Sequence, residues 1–450
     1  MKTFFENIGI KVPEIYLPNS NVDLKKWSVV ACDQYTSQPD YWAEVENYVG
    51  SNPSTLHIIL PEIYLEWADE KQRIENIKSN IVKYVNEGVL ENKWAGFVYL
   101  DRQTSHALSR KWLIVALDLE KYDYSKWSQT LIRASEWTIV DRLPPRIKIR
   151  DGALMESPHI LVLIDDPQKT VIEPISHNLD KYKKLYDFEL MMEGGHIKWY
   201  QVSDEESINS IASALEKLAD KEWFKDKYWV GDDLGVLLFA MGDWNHSFAT
   251  AKAIWEEKKK TLSEEEKLDH PARFAIVEIN NIHDAWINFE PIHRVLFNVD
   301  TKDILDQMAK HFSSIGSELA IQRYSNKEEL KEELQESTDD IHYCRGMDED
   351  GYFILWIKNP KLNLEVWNVQ EFLDKYLLEN KDVKIDYVHW EEVTEQLWRK
   401  RRNMWLLFPI MHKSDFFKTI VVDWALPRKT FSMWEAEEKR FYLECRKIVK

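Results

Sequence analysis

Short apolar runs recur along the chain and are separated by stretches of helical period. They are Trp27–Ala31, Thr55–Leu60, Gly96–Leu100, Trp112–Leu117, Ile160–Ile164, Ile197–Val202, Gly235–Met241 and Phe274–Ile279. Runs of this length bounded by polar residues read as buried strands, and a 3.6-residue spacing between them reads as packed helices. In Ser203–Ala219, Ile208, Ile211, Leu215 and Leu218 share one face behind the cap-like start Ser203-Asp204-Glu205-Glu206, and Ser247–Lys260 is a second helical stretch. The pattern predicts an α/β or α+β protein with mixed sheets and packed helices. At 450 residues the chain exceeds one ordinary core, so several domains are expected. We place them at 1–150, 151–300 and 301–450, with the central one carrying Gly242–Ser247. Further along, Ser325–Asp340 reads as an exposed helix leading into a strand pair, Ile341–Arg345 and Tyr352–Ile357, joined by the turn Asp348–Gly351.

Charge narrows the range of partners. A net charge of −18 opposes long-range attraction to duplex nucleic acid or anionic lipid. The three cysteines, Cys32, Cys344 and Cys445, are widely spaced and read as reduced thiols. Neither a signal-peptide pattern nor a run of 18 uncharged apolar residues occurs, so a cytoplasmic location with no membrane partner is expected. The glycine-rich phosphate loops, the dinucleotide fingerprint, the zinc His-Glu-x-x-His pair, the protein-kinase signature and the Gly-x-Ser-x-Gly elbow are all missing from the sequence.

Site-like chemistry concentrates where the run Leu234–Met241 gives way to Gly242-Asp243-Trp244-Asn245-His246-Ser247 and then to a helix. Backbone N–H groups at a helix start favour an anion, and Asp243, Asn245, His246 and Ser247 offer side chains beside them. The same residues also suit simple capping. A second polar set follows Phe274–Ile279. There, His293 is a candidate acid, base or donor, and Arg294 offers a planar fork for a phosphate or a partner for Glu290. Asp33 lies just past an apolar run. Arg150–Ala153 with Glu156–His159, and the pair Gly194-Gly195, are weaker candidates. Arg428, Lys429 and Thr430 form a basic, hydroxyl-bearing loop suited to phosphate.

Five ordered segments carry a resemblance: Val30–Pro39, Pro53-Ser54-Thr55-Leu56, Gly242–Ser247, Glu290-Pro291-Ile292-His293-Arg294 and Leu426–Thr430. Together they resemble a bacterial family known as domain of unknown function ten-fifteen. Its central motif, usually Asp-Gly-His-His-Arg, is similar to that of ParB/sulfiredoxin-fold proteins that include free-serine kinases. Here Trp244 stands where glycine is usual, Asn245 where the first histidine is usual, and Ser247 where arginine is usual. The resemblance implies a phosphotransferase acting on a small hydroxyl acceptor such as L-serine, with ATP, ADP or pyrophosphate as donor and Mg²⁺ as cofactor. Asp243 would hold Mg²⁺ or orient the acceptor, His246 would contact phosphate or relay a proton, and Asp33 is a reserve base. Asn245, Ser247, His293, Arg294, Arg428, Lys429 and Thr430 would bind substrate and phosphate. A non-catalytic phosphate or nucleotide sensor and a ParB-like nucleic-acid-associated protein are the alternative readings.

Overall fold

The computed structural model describes residues 2–65, 67–139, 143–157, 159–332, 338, 340–389, 402–433 and 435–450. The chain forms two compact units, Met1–Ile287 with Trp434–Lys450, and Asn288–Met433. Both mix strands and helices, as the alternation of apolar runs and helical periods predicts. The division differs from boundaries at 150 and 300. Strands on either side of residue 150 pair in one sheet, and the last seventeen residues return to the first unit.

That sheet is built from β1 (Phe97–Gln103), β2 (Arg110–Asp118), β3 (Tyr122–Asp123), β4 (Ile132–Arg133), β5 (Leu161–Ile164), β6 (Lys183–Glu189), β7 (His196–Val202), β8 (Phe239–Asp243) and β9 (Phe274–Asn281). Their spatial order is β6-β7-β1-β2-β9-β5-β8-β4-β3. β9 runs parallel to β5 and antiparallel to β2, while β8 is antiparallel to β5. Every residue of β9 is buried, as expected of a central strand covered on both faces. Around the sheet pack α1 (Pro39–Val49), α2 (Glu70–Asn86), α3 (Leu143–Arg150), α4 (Glu205–Leu218) and α5 (Asn245–Lys258). In α4 the carboxylate of Asp204 accepts the Ser207 N–H at 2.9 Å, and Ile208, Ile211, Leu215 and Leu218 are buried. This matches the face and cap read from sequence.

Two apolar runs do not form strands. Trp27 ends a short helix, Leu24–Trp27, and Val30 meets Phe441 through one isolated bridge. Thr55–His57 is a 3₁₀ turn held by the Ser54 and Thr55 hydroxyls on the Trp27 carbonyl. In both cases the backbone partners lie outside any sheet, so apolar content was satisfied by loop packing.

The second unit has a six-stranded antiparallel sheet. Its strands are β10 (His293–Phe297), β11 (Glu318–Tyr324), β12 (Ile341–Asp348), β13 (Gly351–Lys358), β14 (Lys384–Val388) and β15 (Asn403–Leu407), in the order β11-β13-β12-β15-β10-β14. The predicted hairpin is β12–β13, longer than read, with Asp348 opposite Gly351, whose φ is 113°. Glycine takes that backbone without strain. The helix expected over Ser325–Asp340 occupies Lys327–Glu332, and residues 333–337 and 339 lie outside the described set.

The C-terminal segment is bound into the first unit by buried charge. Arg440 is shared between Glu278 of β9 and Glu444, and Arg446 pairs with Glu156 at 2.6 Å. Arg110 pairs with Glu438 at 2.6 Å. Arg102 donates to the Glu438 and Gly194 carbonyls. Gly194 thus serves the scaffold, and a side chain on Gly195 would strike the Gln103 carbonyl, so this glycine pair permits close backbone packing. Burial pushes the Glu278 and Glu444 carboxyls up to about 7, against the pull of Arg440.

Removing the shared cation with Arg440→Met should cost roughly 3–5 kcal/mol, because two carboxyls stay buried without it. Both groups sit above the unfolded carboxyl value of about 4.3. The folded state therefore holds extra protons between that value and about 7, and stability from these groups falls as pH rises through the window. Urea unfolding should show a smaller deficit for the variant at pH 5 than at pH 8. An equal deficit at both would mean that the carboxyls do not carry the effect.

Candidate functional site

The turn from β8 into α5 is where the first unit gathers its polar groups. Trp244 precedes the helix with φ 62° and ψ 39°, a left-handed backbone, and supplies no side-chain cap. That conformation costs an L-residue about 1–2 kcal/mol and is free to glycine. Trp244 is 9% exposed, with the Lys439 ammonium 5.5 Å over its ring and the His159 ring edge-on at 5.7 Å. Trp244 Nε1 and Asn245 Oδ1 are both buried without a hydrogen-bond partner. Buried polar atoms seldom remain so unless a water or ligand meets them.

Around this turn, residues from four chain segments meet. Asp243 accepts its neighbour's Trp244 N–H at 2.8 Å through Oδ1 and the Lys439 ammonium at 2.7 Å through Oδ2. Ser247, in the first turn of α5, shares a 2.8 Å hydrogen bond with His159 Nε2. Tyr442 stacks edge-on against His159 at 5.6 Å and accepts the Cys32 N–H at 3.3 Å. Burial drives the His159 imidazole down to about 4, opposed by the Asp33 and Asp243 carboxylates that face it. Asp33 itself accepts a hydrogen bond from Gln34 at 2.9 Å. Burial also raises the Cys32 thiol to about 12, so it stays protonated and poorly nucleophilic.

A cavity of about 150 Å³ opens beside Ser247 and His159. Tyr442 and Cys32 line it, as do Arg146 and Arg150 of α3. Arg150 is paired with Glu156, and Arg146 with Glu62. Pro158, within the segment ending in His159, lies outside the described residues.

Not every residue singled out from the sequence belongs to this group. His246 accepts the Ile139 N–H at 3.2 Å through Nε2 and does not line the cavity. Asp243, the residue expected to hold Mg²⁺, has the Lys439 ammonium on one carboxylate oxygen and a backbone N–H on the other. Among the described residues no group of three or more His, Cys, Asp or Glu side chains is placed to hold a metal ion.

His293, Arg294, Arg428, Lys429 and Thr430 belong to the second unit. Arg294 is fully buried, and its three nitrogens donate to Gln370 at 2.9 Å, to the Ile292 carbonyl and to the Arg428 carbonyl at 3.3 Å. The Tyr387 and Phe408 rings flank it. Its planar fork therefore fixes the 426–430 loop, and its partner is Gln370 where Glu290 was expected. His293 accepts the Phe408 N–H at 3.2 Å, and the Thr430 hydroxyl donates to the Pro427 carbonyl at 2.6 Å. Both side chains thus meet the backbone of the second unit. Arg428 and Lys429 remain exposed, with Arg428 3.4 Å from Asp374.

Reasoning from sequence left His159 among weak candidates and missed Lys439 and Tyr442. A polar residue just ahead of the apolar run Ile160–Ile164 was the available signal for His159. Lys439 is 196 residues from its partner Asp243, and no local pattern marks it.

These features define a mixed α/β protein with a ligand-sized cavity at a strand-to-helix turn. The chain belongs to the family described as protein of unknown function (DUF1015), which it matches over residues 16–376. No curated protein matches it. Among solved structures, a free serine kinase in complex with AMP is similar at TM-score 0.38 and 11% identity, covering 74% of this chain and 92% of that one. A conserved hypothetical protein from Pyrococcus furiosus is similar at 0.35 and 10%, covering 73% and 94%. SbnI from Staphylococcus aureus, truncated at its C-terminus, is similar at 0.34 and 9%, covering 71% and 82%. Among the described residues no helix is long and apolar enough to cross a membrane.

The lowered His159 value sets a test. Its folded value lies below the ordinary 6.5, so the ring stays neutral at neutral pH and charges only as pH falls toward about 4. The unfolded chain binds that proton first, so this group adds stability above about 6.5 that is lost on acidification. In an NMR titration the His159 ring signals should not move between pH 5.5 and 8. A midpoint near 6.5 would contradict the buried environment.

Proposed function

We propose that the protein is a small-molecule phosphotransferase, transferring a phosphoryl group from a nucleotide or polyphosphate donor to a small hydroxyl compound at the β8–α5 turn. L-serine, the acceptor that the motif resemblance implies, is the reference acceptor. One observation carries the reading. Asp33, His159, Asp243 with Ser247, and Lys439 converge from four chain segments on the start of a helix that no side chain caps.

Phosphoryl transfer demands in-line positioning and fixed positive charge more than covalent help from the protein. The helix start contributes backbone donors and the positive end of its dipole. Lys439 contributes the cation that the missing motif arginine would have brought. The acceptor oxygen forms the new bond to phosphorus, the donor's bridging P–O bond breaks toward its departing phosphate, and the hydroxyl proton passes to His159. The Asp33 and Asp243 carboxylates stabilise the imidazolium so formed. Ser247, bonded to His159, orients the ring. In this reading His159 takes the proton-relay role first expected of His246, because His159 lines the cavity and His246 does not. No step is routed through a metal ion.

A sensor that binds the same ligands without turnover is favoured by one feature, the Asp243–Lys439 pair, in which each charge already neutralises the other. The two readings separate by ³¹P NMR of full-length protein supplied with ATP, ADP or pyrophosphate and a set of small hydroxyl acceptors that includes L-serine. A new phosphoester resonance is expected, with His159→Gln lowering its rate roughly 10²–10⁴-fold and Lys439→Met also lowering it. Parent rates in folded His159→Gln and Lys439→Met variants would remove the assignment. Donor binding without consumption would establish the sensor.

A further inference from the structure

We infer that the cavity beside Ser247 takes an alcohol with an apolar body, and that a polar hydroxy amino acid is a poor occupant. The inference rests on the phosphotransferase reading for the fate of the hydroxyl, whereas the binding claim stands on the cavity alone. Its walls are contributed by separate elements of the first unit: Ile77 and Ile81 of α2, Ile149 of α3, Ile160 ahead of β5, and Ile276 of β9. Ser247 Oγ and His159 Nε2, 2.8 Å apart, are part of the same lining, with Tyr442 beside His159. A single hydroxyl can join that pair as donor or acceptor. The rest of an occupant must lie against branched aliphatic side chains.

The charged residues in the lining do not suit a zwitterion. Arg150 is committed to Glu156, which also receives Arg446 and the Ile276 N–H at 3.0 Å. Arg146 is committed to Glu62. An amino acid's ammonium and carboxylate would have to break these pairs or be buried against isoleucine without partners, and either is costly. An apolar body meets no such penalty and removes its surface from water. Size agrees. The volume is about 150 Å³, and a cavity of that size lined by Leu, Ile and Phe admits benzene, so an apolar body of roughly six to eight non-hydrogen atoms fits.

Benzyl alcohol and 3-methyl-1-butanol are the probes, titrated calorimetrically into the full-length protein without donor and compared with L-serine. Both alcohols should bind with a negative heat-capacity change, the mark of apolar burial, and L-serine should bind at least about tenfold more weakly. Ile149 is half-buried on α3, so Ile149→Trp should plug the cavity without disturbing the core, and Ile81→Phe should fill it from α2. Each variant should weaken alcohol binding about tenfold or more, and either one that retains cooperative thermal unfolding decides the question. L-serine binding as tightly as the alcohols, or parent-like alcohol affinity in a folded plugged variant, overturns the inference. Alcohol binding with no transfer to any acceptor would leave this inference standing and sink the phosphotransferase. Transfer to L-serine with no alcohol binding would do the reverse.

Discussion

Arg440 lies between the carboxylates of Glu278 and Glu444, with almost no exposure of any of the three. Burying one cation and two carboxylates is unfavourable unless each finds its partner, so this cluster admits few arrangements of the chain around it. Glu278 lies in the middle of the central strand β9, and Arg440 and Glu444 lie in the segment that returns after residue 434. The cluster thereby determines where the last residues run. Arg446 on Glu156 and Arg110 on Glu438 hold the same segment at two further points. Trp27 adds another by donating to the Leu443 carbonyl at 2.9 Å.

The candidate site inherits its geometry from that placement. Lys439 and Tyr442 flank Arg440 in sequence, so anchoring the arginine brings the ammonium to Asp243 and the phenol ring to His159. Trp244 sits at this turn in a backbone conformation that a bulky residue rarely adopts. Strain of this kind persists only where the surroundings determine it, and here the indole is held between Lys439 and His159.

Much of the architecture was legible. The runs that became β1, β2, β5, β7 and β9 are mostly apolar, and α4 and α5 were readable from their helical period and their start. The central motif was correctly found at a strand-to-helix turn, since Gly242–Ser247 joins β8 to α5. Trp27–Ala31 and Thr55–Leu60 misled because apolar content reports burial, and a loop packed under other elements is buried as fully as a strand. Arg294 misled for a related reason. A fork suited to phosphate is equally suited to backbone carbonyls and an amide, and sequence does not reveal which of these surrounds it.

By itself, the sequence determined the mixed α/β class, the presence of the strand–turn–helix motif and the polar character of that turn. These follow from local periodicity and from the preferences of residues within a few positions of one another. Tertiary structure alone decided that His159 bonds Ser247, 88 residues away, and that Lys439 answers Asp243 from the far end of the chain. It also assigned Arg294 to a loop of the second unit and lined the cavity with isoleucines from separate segments of the first unit. Such pairings depend on which buried charges find partners once distant segments are brought together, and that is a property of the packed chain rather than of any stretch within it.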